Sequence, residues 1–137
     1  MPSSHWKPLI TIWAETRGNH DMTEAEWSFG ASGRGLPHLH NGYPMACGGR
    51  IVRMALSVVG SVAGANGESP DEAIVSLLVD GTIPRSNFLR KQAGEQVSMI
   101  TFTPPIEVAA GSVINFLSRK DCPARSSIVS VLIELDL

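Results

Sequence analysis

The sequence predicts an all-β fold, an antiparallel β-sandwich or jelly roll of about eight to ten strands. Runs of β-branched and aliphatic residues recur between clusters of Gly, Pro, Asn and Asp, which is typical of short strands joined by turns. The best helical window, where Thr23 and Glu26 resemble a capping box, is too short for more than one turn. The 137 residues fit one domain with a short N-terminal arm over residues 1–8.

The first half of the chain contains three strand-like segments. Residues 9–15 form an apolar run, and residues 26–30 form a short aromatic strand after a polar loop. Residues 31–49 are rich in Gly, Pro and His, which predicts a long loop with one or two short strands. A long strand follows over residues 50–62.

The second half predicts further strands and their turns. Asp80-Gly81 is a turn signal at the end of an apolar strand. Residues 88–105 resemble a hairpin through Ala93-Gly94. Residues 113–118 and 128–137 form a terminal pair of strands, joined by a charged hairpin loop.

Side-chain alternation assigns faces to the strands. In the last strand one apolar face should form core: Val129, Val131, Ile133, Leu135 and Leu137. The first strand has an apolar face formed by Ile10, Ile12 and Ala14. The long strand over residues 50–62 has one formed by Val52, Met54, Leu56 and Val58. The opposite faces of the first and last strands also carry apolar groups, including Trp13 and Leu132. A monomeric sandwich should be polar there. A loop of the same chain lying over the strands is one explanation, and packing of this outer side against neighbouring subunits is the other, which we favour because the pattern recurs in strands from both ends of the chain.

Composition supports an oligomer and excludes several other classes. The chain is 43% hydrophobic and 18% charged, below the roughly 25% that is usual. The net charge of −2 and pI near 6.0 give no basic field for nucleic acid. Apolar stretches of about ten residues are too short for a membrane span, and the N-terminus lacks the features of a signal peptide. We therefore expect Cys47 and Cys122 to be reduced at synthesis, buried and inert, with a later disulfide between them as the alternative.

Several segments resemble the globular domains of the tumour necrosis factor and complement type. Residues 41–58 resemble a Gly-containing turn that feeds a long core strand, and residues 74–84 resemble a strand ending in a tight turn. Residues 104–119 resemble the family's next hairpin, although Ser112 stands where Asp is usual. Residues 126–137 resemble its final strand, which lies at the three-fold axis of the trimer.

The N-terminal segments resemble a second group, the virion proteins of tailed bacteriophages. Residues 5–15 followed by residues 26–30, with the element Trp-Ser-Phe-Gly, are similar to openings of fibre-tip and capsid-decoration domains. The resemblance implies a non-enzymatic structural protein of the virion, made in the bacterial cytoplasm, without a cofactor. It implies a homotrimer whose interface residues would be Trp13, Phe116, Ser130, Leu132 and Glu134.

Such virion proteins divide into two kinds. A decoration protein binds the major capsid protein on the outer head surface, whereas a fibre or spike tip recognises carbohydrate or protein on the host. The first strand begins by Leu9 without shaft repeats or heptads, which favours decoration. An enzyme acting on surface polysaccharide is a third alternative, because paired carboxylates are defined by distance in space.

Other residues offer possible contacts. His38 and His40 lie on one side of an extended segment, and three such pairs at a trimer axis would provide six metal ligands. Two surface histidines in a Gly/Pro-rich loop are the simpler explanation, and we predict no metal. Trp6 is expected to contact another protein. In the charged loop, a basic cluster in a trimer would be formed by Arg119, Lys120 and Arg125.

Overall fold

A computed structural model describes residues 7–17, 28–29, 42–59, 71–118 and 126–137. These ranges contain strands and turns and no helix. The strands are β1 (Leu9–Arg17), β2 (Ser28–Phe29), β3 (Tyr43–Pro44), β4 (Gly49–Val59), β5 (Glu72–Val79), β6 (Leu89–Gln92), β7 (Ser98–Val108), β8 (Val113–Ser118) and β9 (Ser126–Leu135). The predicted all-β fold is confirmed.

The strands form two antiparallel sheets. The five-stranded sheet has the order β2-β1-β9-β4-β7, and the four-stranded sheet has the order β3-β8-β5-β6. The pairing is nested: β5 pairs with β6, β4 with β7, β3 with β8, and β1 with β9. Successive nested pairs fall alternately into the two sheets.

The core lies between the two sheets and follows the predicted alternation. On β9, Val129, Val131 and Ile133 are fully buried. The facing sheet contributes fully buried side chains from β5 and β8: Val75, Leu77 and Ile114. Each fully buried aliphatic side chain stabilises the fold by about 1.5–3 kcal/mol relative to exposure. Leu137, predicted on the same face, lies beyond β9 and is exposed.

A β-bulge in β4 corrects the predicted face of that strand. The register with both neighbouring strands shifts between Ile51 and Arg53. Against β9, Val52 is an extra residue, whereas against β7 the extra residues are on β7, where residues 102–105 stand opposite Val52 alone. Ile51 and Met54 therefore both point into the core, whereas Val52 is half-buried. Strict alternation, which places Val52 with Met54, is wrong at this point.

The turn at Asp80-Gly81 is confirmed. Both residues have positive φ, 52° and 80°, as a type I′ turn requires. Val79 and Thr82 exchange backbone hydrogen bonds, with N–O distances of 2.8 and 3.1 Å. The side chain of Asp80 also accepts a hydrogen bond from the backbone N–H of Val113, which joins the turn to the start of β8.

Three predicted hairpins are wrong. The chain does turn at Ala93-Gly94, where Gly94 has a φ of 88°, but β6 pairs with β5 and β7 pairs with β4. Likewise β8 lies in a different sheet from both β7 and β9, so residues 104–119 and the terminal pair of strands are not hairpins. In each case the two consecutive strands belong to different sheets and do not share a ladder.

The core assignment predicts different costs for two isoleucines. Ile133→Ala should lower the free energy of unfolding by about 2–5 kcal/mol, because a fully buried side chain leaves a cavity. Ile83→Ala, at an exposed loop position, should cost about 1 kcal/mol or less. Urea denaturation at one fixed protein concentration measures both. Equal losses would contradict the assignment of the inner face of β9.

Candidate functional site

We call the side of the five-stranded sheet that points away from the core the outer face. The strand register places four side chains in one row across it. Trp13 on β1 lies opposite Ser130 on β9, Ser130 lies opposite Ala55 on β4, and Ala55 lies opposite Met99 on β7. None of the four is charged. We call this set the Trp13 row.

The Trp13 row is large at its two ends and small in the middle. Trp13 is 37% exposed and Met99 is 60% exposed, whereas Ser130 and Ala55 are half-buried. On β9, Leu132 and Ile128 lie on the same face, one on each side of Ser130, and extend the uncharged surface along that strand. Exposed apolar groups that are contiguous in this way are typical of a protein interface.

A cluster of charged side chains lies at one end of the outer face, while Arg53, opposite Leu132, and Glu15, opposite Ile128, lie on that face outside the cluster. Arg50 on β4 contacts three carboxylates: its Nη2 lies 2.9 Å from Glu134 Oε1 and 2.7 Å from Asp136 Oδ1, and its Nη1 lies 3.7 Å from Glu107 Oε2. Lys7 Nζ lies 3.2 Å from Asp136 Oδ1. Two cations therefore face three carboxylates, and the charges at this end are largely compensated.

The hydrogen bonds in this charged cluster alter the ionisation of its members. Hydrogen bonds to Asp136 hold the pKa of that carboxyl below its ordinary value. The guanidinium of Arg50 has the largest effect, and the ammonium of Lys7 the next largest. The hydrogen bonds that Arg50 donates to Asp136 and Glu134 also raise the pKa of Arg50. The cluster is open to solvent, so its net contribution to stability is modest.

The structure brings four predicted interface residues onto the outer face. Trp13 and Ser130 belong to the Trp13 row, and Leu132 and Glu134 follow Ser130 along the outer side of β9. The last of these, Glu134, belongs to the charged cluster and not to the uncharged surface. Six other residues with predicted contacts lie outside the described residues: Trp6, His38, His40, Arg119, Lys120 and Arg125.

Phe116, also expected at the trimer interface, lies instead in the core of its own chain. It is 4% exposed and points inward with Ile114, whereas Val113 and Leu117 occupy the outer side of β8. Alternation separates the two sides of a strand but does not say which is inner. Phe116 has almost no surface left for another chain, so it is removed from the set of interface candidates.

Three residues of the outer face were not found by sequence reasoning. Ala55 and Met99 join the Trp13 row, and Arg50 organises the charged cluster. Each lies in a segment predicted as strand. Their proximity depends on β9 pairing with β4 and on β4 pairing with β7, and residue patterns do not specify that register.

The described residues contain no group of three or more His, Cys, Asp or Glu side chains that could hold a metal ion. Cys47 is free and only partly buried, which differs from its predicted burial, while Cys122 lies outside the described residues. In the parts of the chain that the structure describes, no helix is long and apolar enough to cross a membrane.

No protein-family model matches the chain, and no curated protein or solved structure matches it significantly. The strand order and the outer face are therefore the observations that bear on function.

The charged cluster predicts a dependence of stability on pH. A carboxyl whose pKa is lowered on folding stabilises the protein above its unfolded pKa, and this stabilisation is lost as the pH falls through its folded pKa. Asp136→Asn should therefore lower the urea midpoint at about pH 6 and lose this effect below about pH 4. A matched control is Glu95→Gln, an exposed carboxyl in the turn before β7. A deficit of Asp136→Asn that stays constant down to pH 2 would contradict this role.

Proposed function

We propose that this chain is a non-enzymatic structural protein of a phage particle, which assembles as a homotrimer and binds the outer surface of the head. The Trp13 row is the observation that carries the proposal. It is an uncharged, partly exposed strip that crosses four strands of one sheet, on the side away from the protein's own core.

The nested strand pairing supports a jelly roll as the finer description of the sandwich. A jelly roll is a doubled antiparallel ribbon rolled into two facing sheets. Here the outermost pair is β1 with β9, the innermost is β5 with β6, and successive pairs alternate between the sheets. This order also supports the resemblance to tumour necrosis factor and complement domains, which has the last strand at a three-fold axis.

The size of the outer face supports association between copies. Four of its strands are nine to eleven residues long, which gives a surface of about 600 Å² at the usual strand spacing and rise. A standard interface takes about 800 Å² from each partner, so the face is of the right order. Covering the exposed part of Trp13 alone would contribute about 2 kcal/mol per copy.

The position of the charges is compatible with a symmetric assembly. If the middle of β9 lies near a three-fold axis, Ser130 and Leu132 meet their own copies, and these residues bring no charge. Glu134 would approach two other carboxylates, and such like-charge contacts are unfavourable. Arg50 lies against Glu134 in the same chain and offsets part of that repulsion.

Assignment to a phage particle rests on the N-terminal resemblance to virion proteins. A trimer would explain how such a protein binds the head. Three identical contacts on one rigid trimer multiply the affinity for a lattice that has three-fold symmetric positions. The partner is then the major capsid protein, and the expected role is to clamp neighbouring capsomers so that the filled head resists rupture.

A charge placed in the Trp13 row should break the trimer. Ser130→Arg would bury a guanidinium without a partner at the interface, so the particle mass should fall to that of one 14.7-kDa chain at micromolar concentration. Ser76→Arg is a matched control, because Ser76 is also half-buried but lies on the four-stranded sheet. Light scattering after gel filtration measures both. A trimeric Ser130→Arg variant would show that the outer face is not the interface.

Loss of the protein should weaken the phage head. Particles assembled without it should release DNA at a lower temperature than complete particles, and added purified protein should restore the difference. Electron microscopy of labelled protein should find it on the head surface. Label at a fibre tip, together with heads of unchanged stability, would replace decoration with receptor binding.

A further inference from the structure

The connection between β5 and β6 presents two large apolar side chains to solvent. It runs over residues 80–88, and we call it the β5–β6 loop. Phe88 is 62% exposed and Ile83 is 44% exposed. Both lie outside the outer face, because the loop joins two strands of the four-stranded sheet. They are therefore not explained by the Trp13 row.

The β5–β6 loop is held at its beginning by its turn. The type I′ conformation at Asp80-Gly81 closes the end of β5, and Asp80 is bonded to Val113 through both its backbone and its side chain. Five hydrogen bonds thus fix the first residues of the loop. Two join Asp80 to Val113 on β8, and three join Thr82 to Val79 at the end of β5, one of them donated by the Thr82 side chain.

The end of the loop is held by a buried side chain. The Asn87 Oδ1 atom accepts a hydrogen bond from Leu77 N–H at 2.8 Å, and its Nδ2 donates to the carbonyl of Arg85 at 2.7 Å. The Asn87 side chain thus supplies Leu77 with an acceptor beyond the point where β6 stops pairing with β5. Because Asn87 is buried, the next residue, Phe88, points away from the core.

Arg85 connects the loop to the other sheet. Its Nη1 donates to the carbonyl of Pro104 on β7 at 2.7 Å. Among the described residues no carboxylate lies within ion-pair distance of Arg85, whereas nearby Arg90 is paired with Glu72 at 2.8 Å. The loop therefore combines exposed apolar groups with a guanidinium that forms no ion pair within the described part of the chain.

A loop ordered in this way is suited to binding. Exposed side chains on a mobile loop lose conformational entropy when they bind, whereas those on a loop already fixed by hydrogen bonds lose less. Aromatic residues and arginine are also the residue types enriched at energetic hot spots in protein interfaces, and this loop carries one of each.

We propose that the β5–β6 loop is the contact of this protein with its partner, with Phe88 as the anchor. The complementary partner is a protein surface with an apolar pocket for Phe88 and a carboxylate for Arg85. This inference rests on the proposed function, under which that surface belongs to the shell of the phage head. The outer face joins copies of the chain, and the loop on the other sheet joins the trimer to the shell.

Phe88→Asp tests the proposal directly. The probe is a preparation of heads from phage that lack the protein, and binding is measured by co-sedimentation with purified trimer. Phe88→Asp should bind about 30-fold more weakly, with an unchanged trimer mass, because the anchor is lost and a carboxylate would have to enter an apolar pocket. Phe88→Tyr should bind close to the unaltered protein. Ser76→Asp, which adds a charge to the four-stranded sheet outside the loop, should also bind normally.

The outcomes separate this inference from the proposed function. Equal head binding by Phe88→Asp and the unaltered protein overturns the loop contact and leaves decoration in place. No head binding by the unaltered protein overturns both. If Phe88→Asp binds heads normally but no longer attaches to host cells, the loop recognises the host and not the shell.

Discussion

The pairing of β9 on both of its edges is the interaction on which the rest of the structure depends. Every residue of β1 pairs with β9, and β9 pairs along nearly its whole length with β4. The first strand is otherwise joined only to β2, which is two residues long. Because β1 and β9 are separated by most of the sequence, β1 joins the five-stranded sheet through contacts between residues far apart in sequence. Folds rich in such contacts fold more slowly than folds built from local contacts.

This central position gives β9 two different surfaces. Its inner side contributes Val129 and Val131 to the core, and its outer side contributes Ser130 and Leu132 to the outer face. Both edges of β9 are paired with other strands, so its outer side is the surface on which a further layer of protein can pack. The small side chain of Ser130 allows a close approach there, and Trp13 next to it supplies apolar area.

Local patterns predicted the elements whose cause is local. Strand alternation placed Val129 and Ile133 in the core, and the Asp-Gly pair predicted its turn, since only a few residues tolerate two successive positive φ angles. The bulge at Val52 was not predicted, because one extra residue in a ladder leaves no mark in composition. Alternation also did not decide whether Phe116 or its neighbours face inward.

Pairing between distant strands was the part that residue patterns could not specify. A Gly-containing turn such as Ala93-Gly94 can connect two paired strands of one sheet or two strands of different sheets. The turn residues are the same in both cases, so they do not show which strands pair. Ala55 and Met99 joined the candidate site for the same reason, since only the register across β9, β4 and β7 aligns them with Trp13. Two of the four residues of the Trp13 row were therefore predicted from the sequence, Trp13 on β1 and Ser130 on β9. The two on β4 and β7, Ala55 and Met99, were not.

The central claim is that the outer face of the five-stranded sheet is covered by other copies of the chain. Sedimentation equilibrium of the unaltered protein over a range of micromolar concentrations tests it most directly. We expect a single species of three times the 14.7-kDa chain mass across that range. A single species of one chain mass at all concentrations would contradict the claim and leave the exposed Trp13 row without an occupant.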